Sequence, residues 1–458
     1  MTSPDLHHLR PDFVWGVATS AYQIEGAVEE GTRTPSIWDV FSHTPGRTHH
    51  GDTGDVACDH WHRWADDLDL LVDLGIPAYR LSLSWPRLQP SGEGELDARA
   101  VREYRQLLSG MRDRGIRPFV TLYHWDLPQE LEDAGGWPVR RTARAFAVYA
   151  GLVADALGDL VEDWITINEP WCASVLGYAL GVHAPGRTDW RDAVAAAHHL
   201  NLAHGMAVAD IRASNPAARI GVTNIIADLL AADPQRDAAA VARLDALNHG
   251  LFLDPVFLGA YGVEVHALLD PYGLSEVILP GDEETIAQPL DFVGVNHYQQ
   301  VIVAGAPGAG PAEVSERPGG SRHTSFGWSI TPSALTRVLV QVRDRYTSLP
   351  IYITENGASF TDYVTPDGEV HDPERSEYLS GYVEAIDAAA ADGVDVAGYF
   401  AWSFLDNYEW AEGYDKRFGL VWVDFHTQKR IPKDSARHYG SLIRTHQQAA
   451  LPASGLSA

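Results

Sequence analysis

Ile351–Tyr352–Ile353–Thr354–Glu355–Asn356–Gly357 and, far upstream, Trp164–Ile165–Thr166–Ile167–Asn168–Glu169–Pro170 are built alike. Each opens as a short apolar, largely β-branched run, the composition of a buried strand, and each stops abruptly on a glutamate. A carboxylate is an odd residue to put where an apolar strand ends unless something outside the strand uses it. In a parallel α/β barrel every strand C-terminus opens onto one face, and active sites are built there. A strand-end glutamate satisfied by a turn amide or an arginine explains either stretch alone; it explains the two together poorly. Paired carboxylates brought by different strands to one mouth are what cleavage of a glycosidic bond minimally requires.

Outward from these stretches the chain alternates strand with helix. Apolar runs bounded by turn residues fall at 13–20, 78–85, 117–124, 163–169, 218–224, 291–298, 351–355 and 396–403. Continuous rather than alternating hydrophobicity fits strands covered on both faces. Between them Trp61, Trp64, Leu68, Leu71 and Leu74 recur at helical spacing, with Gly75 as a left-handed stop. Val101, Tyr104, Leu108 and Met111 repeat the arrangement before Gly115, and Phe146, Tyr149, Val153 and Leu157 do so again. That periodicity makes Trp61 and Trp64 core residues. Eight such units close into a (β/α)8 TIM barrel. The expectation is a single-domain α/β chain over residues 1–445, then a flexible tail over 446–458 rich in Ala, Pro, Ser and Gly. Segments 26–55, 303–325 and 406–432 are rich in Gly, Pro and aromatics. Irregular loops this long are uncommon unless functional. After strands one, six and eight they would wall a deep pocket over the barrel mouth.

Composition narrows the partners. Across 458 residues the apolar fraction is 45% and the charged fraction 21%, ordinary for a soluble globular chain. A net charge of −28 argues against nucleic acid, whose phosphates need basic patches. Two cysteines, Cys58 and Cys172, are too few for a disulfide framework, so free thiols are expected. Residues 1–11 carry no apolar signal segment, and no run approaches the roughly 20 apolar residues of a membrane span. The expected address is cytoplasmic, with no membrane partner. Adjacent histidines at His7–His8, His49–His50 and His198–His199 do not share a helix face. No His-Glu-x-x-His motif occurs, so neither a metal nor another cofactor is expected.

The strand ends collect side chains that barrel folding does not need. Gln23 and Glu25 follow the first strand, Arg80 lies in the second, and His124 and Trp125 end the third. Asn168 and Glu169 end the fourth, Asn296 and Tyr298 the sixth, and Glu355 the seventh; Trp402, Glu409 and Trp410 follow the eighth. Amides and carboxylates make paired contacts to hydroxyls, and flat indoles cover the apolar face of a pyranose. The inventory suits a small hydroxyl-rich ligand.

As ordered blocks these residues carry a resemblance. Phe13–Val14–Trp15–Gly16–Val17–Ala18–Thr19 with Tyr22–Gln23–Ile24–Glu25–Gly26 comes first, then Thr121–Leu122–Tyr123–His124–Trp125–Asp126–Leu127–Pro128. Asn168–Glu169–Pro170, Ile353–Thr354–Glu355–Asn356–Gly357 and Trp402–Ser403–Phe404–Leu405–Asp406–Asn407–Tyr408–Glu409–Trp410 follow. Together, from about Phe13 to Tyr439, the chain resembles glycoside hydrolase family 1. The resemblance implies a retaining β-glucosidase. Such an enzyme hydrolyses terminal non-reducing β-D-glucosyl residues, with β-fucosyl and β-galactosyl residues beside them, by double displacement through a covalent glycosyl-enzyme. Its partner would be a small β-glycoside or oligosaccharide. Glu355 resembles the nucleophile and Glu169 the acid/base. Gln23, His124, Asn168, Trp402, Glu409 and Trp410 match residues that hold the glycone, and Arg80 and Tyr298 those that brace the nucleophile. Trp328, in Gly327–Trp328–Ser329–Ile330, resembles a residue lining the aglycone side. Trp125, Asn296 and Phe418 complete the expected binding set.

The chemistry asks for the same division. Glu355 must be ionised to attack, and donors such as Arg80 and Tyr298 favour that form. Glu169 must begin protonated, which burial and the charge of Glu355 favour. Two positions depart from the family pattern. His297 stands between Asn296 and Tyr298 where an aromatic is commoner, and the polar residue of the fifth strand usually falls one place after Asn224, which is left out of the site. His183 is expected as a loop residue near the mouth. Two alternatives stay open, a 6-phospho-β-glycosidase and a non-catalytic sugar-binding protein on the same barrel. The first is opposed by Glu409, where phospho-sugar enzymes carry a small hydroxyl residue, and by Phe418 in place of a tyrosine. The second would be favoured by loss of either glutamate.

Overall fold

A computed structural model describes residues 6–450. The parallel strands β1 (Val14–Ala18), β2 (Ala78–Ser82), β3 (Arg117–Tyr123), β4 (Asp163–Asn168), β5 (Arg219–Ile225), β6 (Phe292–Asn296), β7 (Ile351–Asn356) and β8 (Val396–Trp402) pair in chain order. β1 meets β8, closing the barrel. Every expected strand is present, with its ends moved by at most three residues. Helices α1 (His60–Leu74), α2 (Ala98–Asp113), α3 (Arg140–Leu157), α4 (Trp190–Ser214), α5 (Pro332–Arg345), α6 (Pro373–Ala391) and α7 (Asp434–Ala450) cover the outside. Their ends have chemical causes. Gly75 takes φ 73°, and its amide reaches the Leu71 and Val72 carbonyls. Asp97 starts α2 by accepting from the Ala100 amide at 2.7 Å. Trp61 and Trp64 lie half-buried against the core, and the Arg87 guanidinium covers the Trp61 ring at 3.9 Å.

The barrel is plugged by aromatics. Phe119 meets Phe400 at 4.8 Å and Tyr352 at 5.3 Å between ring centroids, and Phe292 meets Tyr352 at 5.2 Å. Glycines on neighbouring strands make the room. A Cβ on Gly16 would lie 2.4 Å from Phe400, and one on Gly221 2.4 Å from Phe292, separations that close packing forbids. This floor leaves depth for a site at the C-terminal mouth.

The long segments are more regular than their Gly and Pro content suggests. Residues 26–55 hold the helix Ile37–Ser42, begun by a capping box between Ser36 and Asp39. Within 303–325 the strand Val314–Pro318 folds back on Gln300–Gly305, which also pairs with Asp228–Ala231. Much of the stretch expected to be irregular is thus a hairpin, with Pro307, Gly308, Gly310 and Pro311 in its turn. Residues 406–432 include the antiparallel pair Val421–Val423 and Arg430–Pro432. Beside it the buried Lys433 gives Nζ to Asp362 at 2.5 Å and to Asp406 at 2.7 Å, tying the loops after β7 and β8 to the start of α7. The expected tail boundary is also corrected, because α7 continues past residue 445. His446 is buried and its Nδ1 accepts from the Trp15 indole at 3.2 Å, which keeps that turn docked. Residues 451–458 of that expected tail lie outside the described residues. Among the described residues no helix is long and apolar enough to cross a membrane.

The packing carries a pH dependence. Burial pushes His183, His199, His204 and His297 each down to about 4, from an ordinary 6.5. A base with a depressed folded pKa supports the fold only while it is neutral. The unfolded chain therefore binds more protons as pH falls below 6.5, and the stability present above that value is lost as pH falls through 4. Urea midpoints measured from pH 7 to pH 4 should fall across that window; a flat profile would contradict the neutral burial of these rings.

Candidate active site

Successive side chains in a strand point to opposite faces. Asn168 and Glu169, or Thr354 and Glu355, can therefore reach the same polar cluster only if the strand breaks step. Both strands do. β4 shifts register against β5 between Ile165 and Asn168, and β7 shifts against β6 between Ile353 and Glu355. Such bulges re-aim side chains beside active sites. Glu169 sits at φ 46°, Trp125 at 76° and Trp410 at 54°. Left-handed backbone costs a side-chain-bearing residue about 1–3 kcal/mol, and such residues cluster at functional sites.

A chain of polar contacts joins the two glutamates. Arg80, 1% exposed, donates through Nη1 to Glu355 Oε1 at 2.5 Å and to the Thr354 carbonyl at 3.0 Å. Its Nη2 donates to Asn168 Oδ1 at 2.7 Å and its Nε to Thr121 Oγ1 at 3.2 Å. The Tyr298 hydroxyl donates to Glu355 Oε2 at 2.6 Å. A guanidinium can only donate, so it fixes Asn168 Oδ1 as an acceptor. The Asn296 amide must then face it with nitrogen. Nδ2 of Asn296 lies 3.1 Å from Asn168 Oδ1 and 2.7 Å from Glu169 Oε1. Asn168 Nδ2 meets His124 Nε2 at 3.1 Å, making that ring nitrogen the acceptor. Burial, then the Arg80 charge, holds His124 well below its ordinary pKa. The neutral ring carries its proton on Nδ1, a buried atom with no partner among the described residues.

The two carboxylates differ in environment. Burial raises Glu169 well above the usual carboxylate range, and the neighbouring charge of Glu355 raises it further. Burial also raises Glu355, but Arg80 and Tyr298 oppose it with direct contacts to both oxygens. The direct donors thus favour the ionised form at Glu355, while burial favours the protonated form at Glu169. Glu409, also buried, is raised by burial and then by Glu355 and Glu169.

Rings enclose this polar centre in two groups. His124 lies parallel to Trp402 at 5.9 Å and to Trp410 at 5.9 Å, and Trp125 packs on Trp410 at 4.6 Å. His183 closes that side, 5.5 Å from Trp125. On the other, Trp328 is 5.0 Å from Tyr298 and 5.9 Å from Phe418, and stacks on Phe326 at 4.2 Å. Gln23 joins the loop after β8, its Nε2 donating to the Tyr408 carbonyl at 2.9 Å and approaching Glu409 Oε2 at 3.4 Å.

Three neighbours fall elsewhere. Glu25 turns away and is held by Arg87 Nε at 3.1 Å and the Tyr104 hydroxyl at 2.5 Å, a structural contact to the short helix after β2 and to α2. His297 is buried and its Nδ1 donates to the Ile226 carbonyl at 2.8 Å. Asn224 follows Thr223, whose hydroxyl reaches Thr354 inside the barrel at 3.2 Å, so strand alternation turns Asn224 outward. Sequence reasoning missed Phe326 and the thiol of Cys172, 3.2 Å from Glu169 Oε2. The three-residue helical spacing from Glu169 to Cys172 was the available signal. His198 is engaged by the Tyr261 hydroxyl and Asp282, and His199 by the Trp137 carbonyl. Among the described residues no group of three or more His, Cys, Asp or Glu is placed to hold a metal ion.

Known proteins resemble this chain along nearly all of it. The profile of Glycosyl hydrolase family 1 matches residues 6–448. Beta-glucosidase A of Thermotoga maritima is 42% identical, over 95% of this chain and 97% of its own. A bifunctional beta-D-glucosidase/beta-D-fucosidase of Bifidobacterium breve is 44% identical, over 95% of this chain and 98% of its own. The crystal structure of a beta-glucosidase from Exiguobacterium antarcticum superposes with a TM-score of 0.94 at 44% identity, covering 97% of this chain and 100% of its own. Matches that span both partners almost end to end leave one conclusion: the chain belongs to glycosyl hydrolase family 1 and is a glycoside hydrolase.

Proposed function

We propose that this chain is a retaining β-glucosidase that removes terminal non-reducing β-D-glucosyl residues, and β-fucosyl and β-galactosyl residues beside them. The observation that carries the reading is the unequal setting of the two glutamates, Glu355 gripped by Arg80 and Tyr298 and Glu169 touched by neither. Glu355 attacks the anomeric carbon while Glu169 gives its proton to the departing oxygen. The ester bond to the sugar removes the charge from Glu355. The repulsion on Glu169 then falls, and it takes a proton from the incoming water. His124, Asn168 and Glu409 hold glycone hydroxyls against Trp402 and Trp410, and Trp328 faces the leaving group. A retaining pair stands about 5–5.5 Å apart, too close for an inverting water. Proton NMR of the first-formed sugar should show the β-anomer; an initial α-anomer would end the double-displacement account.

The 6-position separates this reading from a 6-phospho-β-glycosidase. Arg80, the cation among the site residues, is already committed to Glu355 and Asn168. Lys416 lies 3.2 Å from the Ser325 carbonyl, 3.7 Å from Glu412 Oε2 and 5.6 Å above the Phe326 ring, so its charge is already shared with a carboxylate. A phosphate beside Glu409 would meet the charge of Glu355, and a carboxyl that can accept from a free hydroxyl but not from a phosphate, in a pocket that water screens poorly. The expected kcat/KM for a nitrophenyl glucoside exceeds that for its 6-phosphate by on the order of a hundredfold or more, the cost of one unrelieved charge contact of a few kcal/mol. Glu409→Ser should narrow the ratio from both sides. A wild-type ratio favouring the phosphate would reverse the assignment.

A further inference from the structure

We infer that Cys172 is a positioning residue for the proton of Glu169, its thiol holding the oxygen from which that proton departs. The inference rests on the acid/base reading of Glu169 and goes beyond it by naming which oxygen works and what tunes it.

The two oxygens of Glu169 are not equivalent. Oε1 accepts from Asn296 Nδ2 at 2.7 Å, and that amide cannot turn over. Arg80 fixes Asn168 Oδ1 as an acceptor at 2.7 Å, and Asn296 must present its nitrogen to Asn168 Oδ1 at 3.1 Å. Thr354 Oγ1 donates to the other end of the same amide, Asn296 Oδ1, at 2.7 Å. Oε1 is therefore a standing acceptor, and the transferable proton belongs on Oε2. The contact at Oε2 is Cys172 Sγ at 3.2 Å. The arrangement is local and stiff. Cys172 opens the wide helical turns of Cys172–Ala179, its amide bonds back to the Glu169 carbonyl at 3.0 Å, and the residue is 5% exposed.

The thiol can act in one direction only. Burial, then the charge of Glu169, keeps it protonated, so it donates. A donor on a carboxyl oxygen favours the ionised form, and more strongly once the proton has left. The contact thus tightens as Glu169 gives its proton to the leaving oxygen, and it makes Glu169 a stronger acid than burial alone would. The other charged or titratable groups around Glu169 are Glu355, Glu409, Arg80, Tyr298 and His124. None is altered by a change at Cys172.

The test is the alkaline limb of kcat/KM on phenyl β-glucoside, a substrate whose leaving group needs the proton. Cys172→Ala and Cys172→Val remove the donor, the second without opening a cavity, and thermal melts establish that each is folded. Both should move the limb upward by about half a pH unit, the size of a weak hydrogen bond. Cys172→Ser keeps a donor and should stay nearer the wild type. Limbs that superimpose for wild type, Ala and Val, or a serine variant that moves as far as alanine, would overturn the inference. Glu169→Gln in the same assay separates the two readings. If its residual activity keeps the limb, the acid/base assignment of Glu169 fails; if the limb disappears while the Cys172 variants do not shift, only the role of Cys172 fails.

Discussion

Glu355→Ala loses turnover of β-glucosides whatever their leaving group, by on the order of a millionfold, the scale seen when a covalent nucleophile is removed. The proposed attack passes through this carboxylate, so making departure easier cannot restore it. A small external anion can. With the side chain gone, azide enters from the face Glu355 occupied and forms the α-glycosyl azide. The variant also changes its neighbours. Arg80 keeps Asn168 and the Thr354 carbonyl but loses its counter-charge at 2.5 Å, and leaving a buried charge unpaired costs about 3–5 kcal/mol. A thermal melt should register that loss. Glu169 loses the repulsion that raises it after burial itself, so its carboxyl should ionise at lower pH than in the wild type. Carbon NMR of labelled glutamate reads that shift without any turnover, and it imitates the glycosyl-enzyme, in which Glu355 is also uncharged. A carboxyl that titrates unchanged would mean that the two glutamates do not share a charge.

The barrel was legible because its signals are coarse. Eight apolar runs separated by helical periodicity admit few arrangements, and a one-residue error at a strand end leaves closure intact. The glutamates were legible because a charged residue ending an apolar strand violates the local pattern. What was lost lies in geometry that residue types do not encode. Nothing in Thr166–Ile167–Asn168–Glu169 announces that the strand breaks step and lets neighbours share one cluster, since a bulge is set by pairing with β5. Glu25 was misplaced for the same reason. It sits two residues from Gln23, yet the short helix Ala21–Ile24 sends one side chain toward the loop after β8 and the other to Arg87. The hairpin at Gln300–Gly305 hid behind a Gly- and Pro-rich turn, because composition reports the turn and not the strands beside it.

Glu169→Ala should divide substrates by leaving group. Proton donation is worth about a hundredfold to ten-thousandfold, and all of it is needed when the departing oxygen is basic, as in phenyl glucoside or cellobiose. Dinitrophenolate leaves without a proton, so the first displacement by Glu355 survives in the variant and the glycosyl-enzyme forms. Its breakdown then stalls, because no carboxylate takes the proton from water. The expected trace is a burst of dinitrophenolate followed by a slow steady rate. Azide needs no base and should speed that second phase. It attacks the glycosyl-enzyme from the face that Glu169 has vacated, so the product is the β-glycosyl azide, opposite in hand to that from Glu355→Ala. The structural ground is the separate anchoring of the two groups: Glu355 keeps Arg80 and Tyr298 when Glu169 is gone, since neither contact passes through Glu169. The same anomer from both variants would make the assignment of roles wrong. A loss equal for phenyl and dinitrophenyl glucosides would show that Glu169 holds the sugar in place and does not carry its proton.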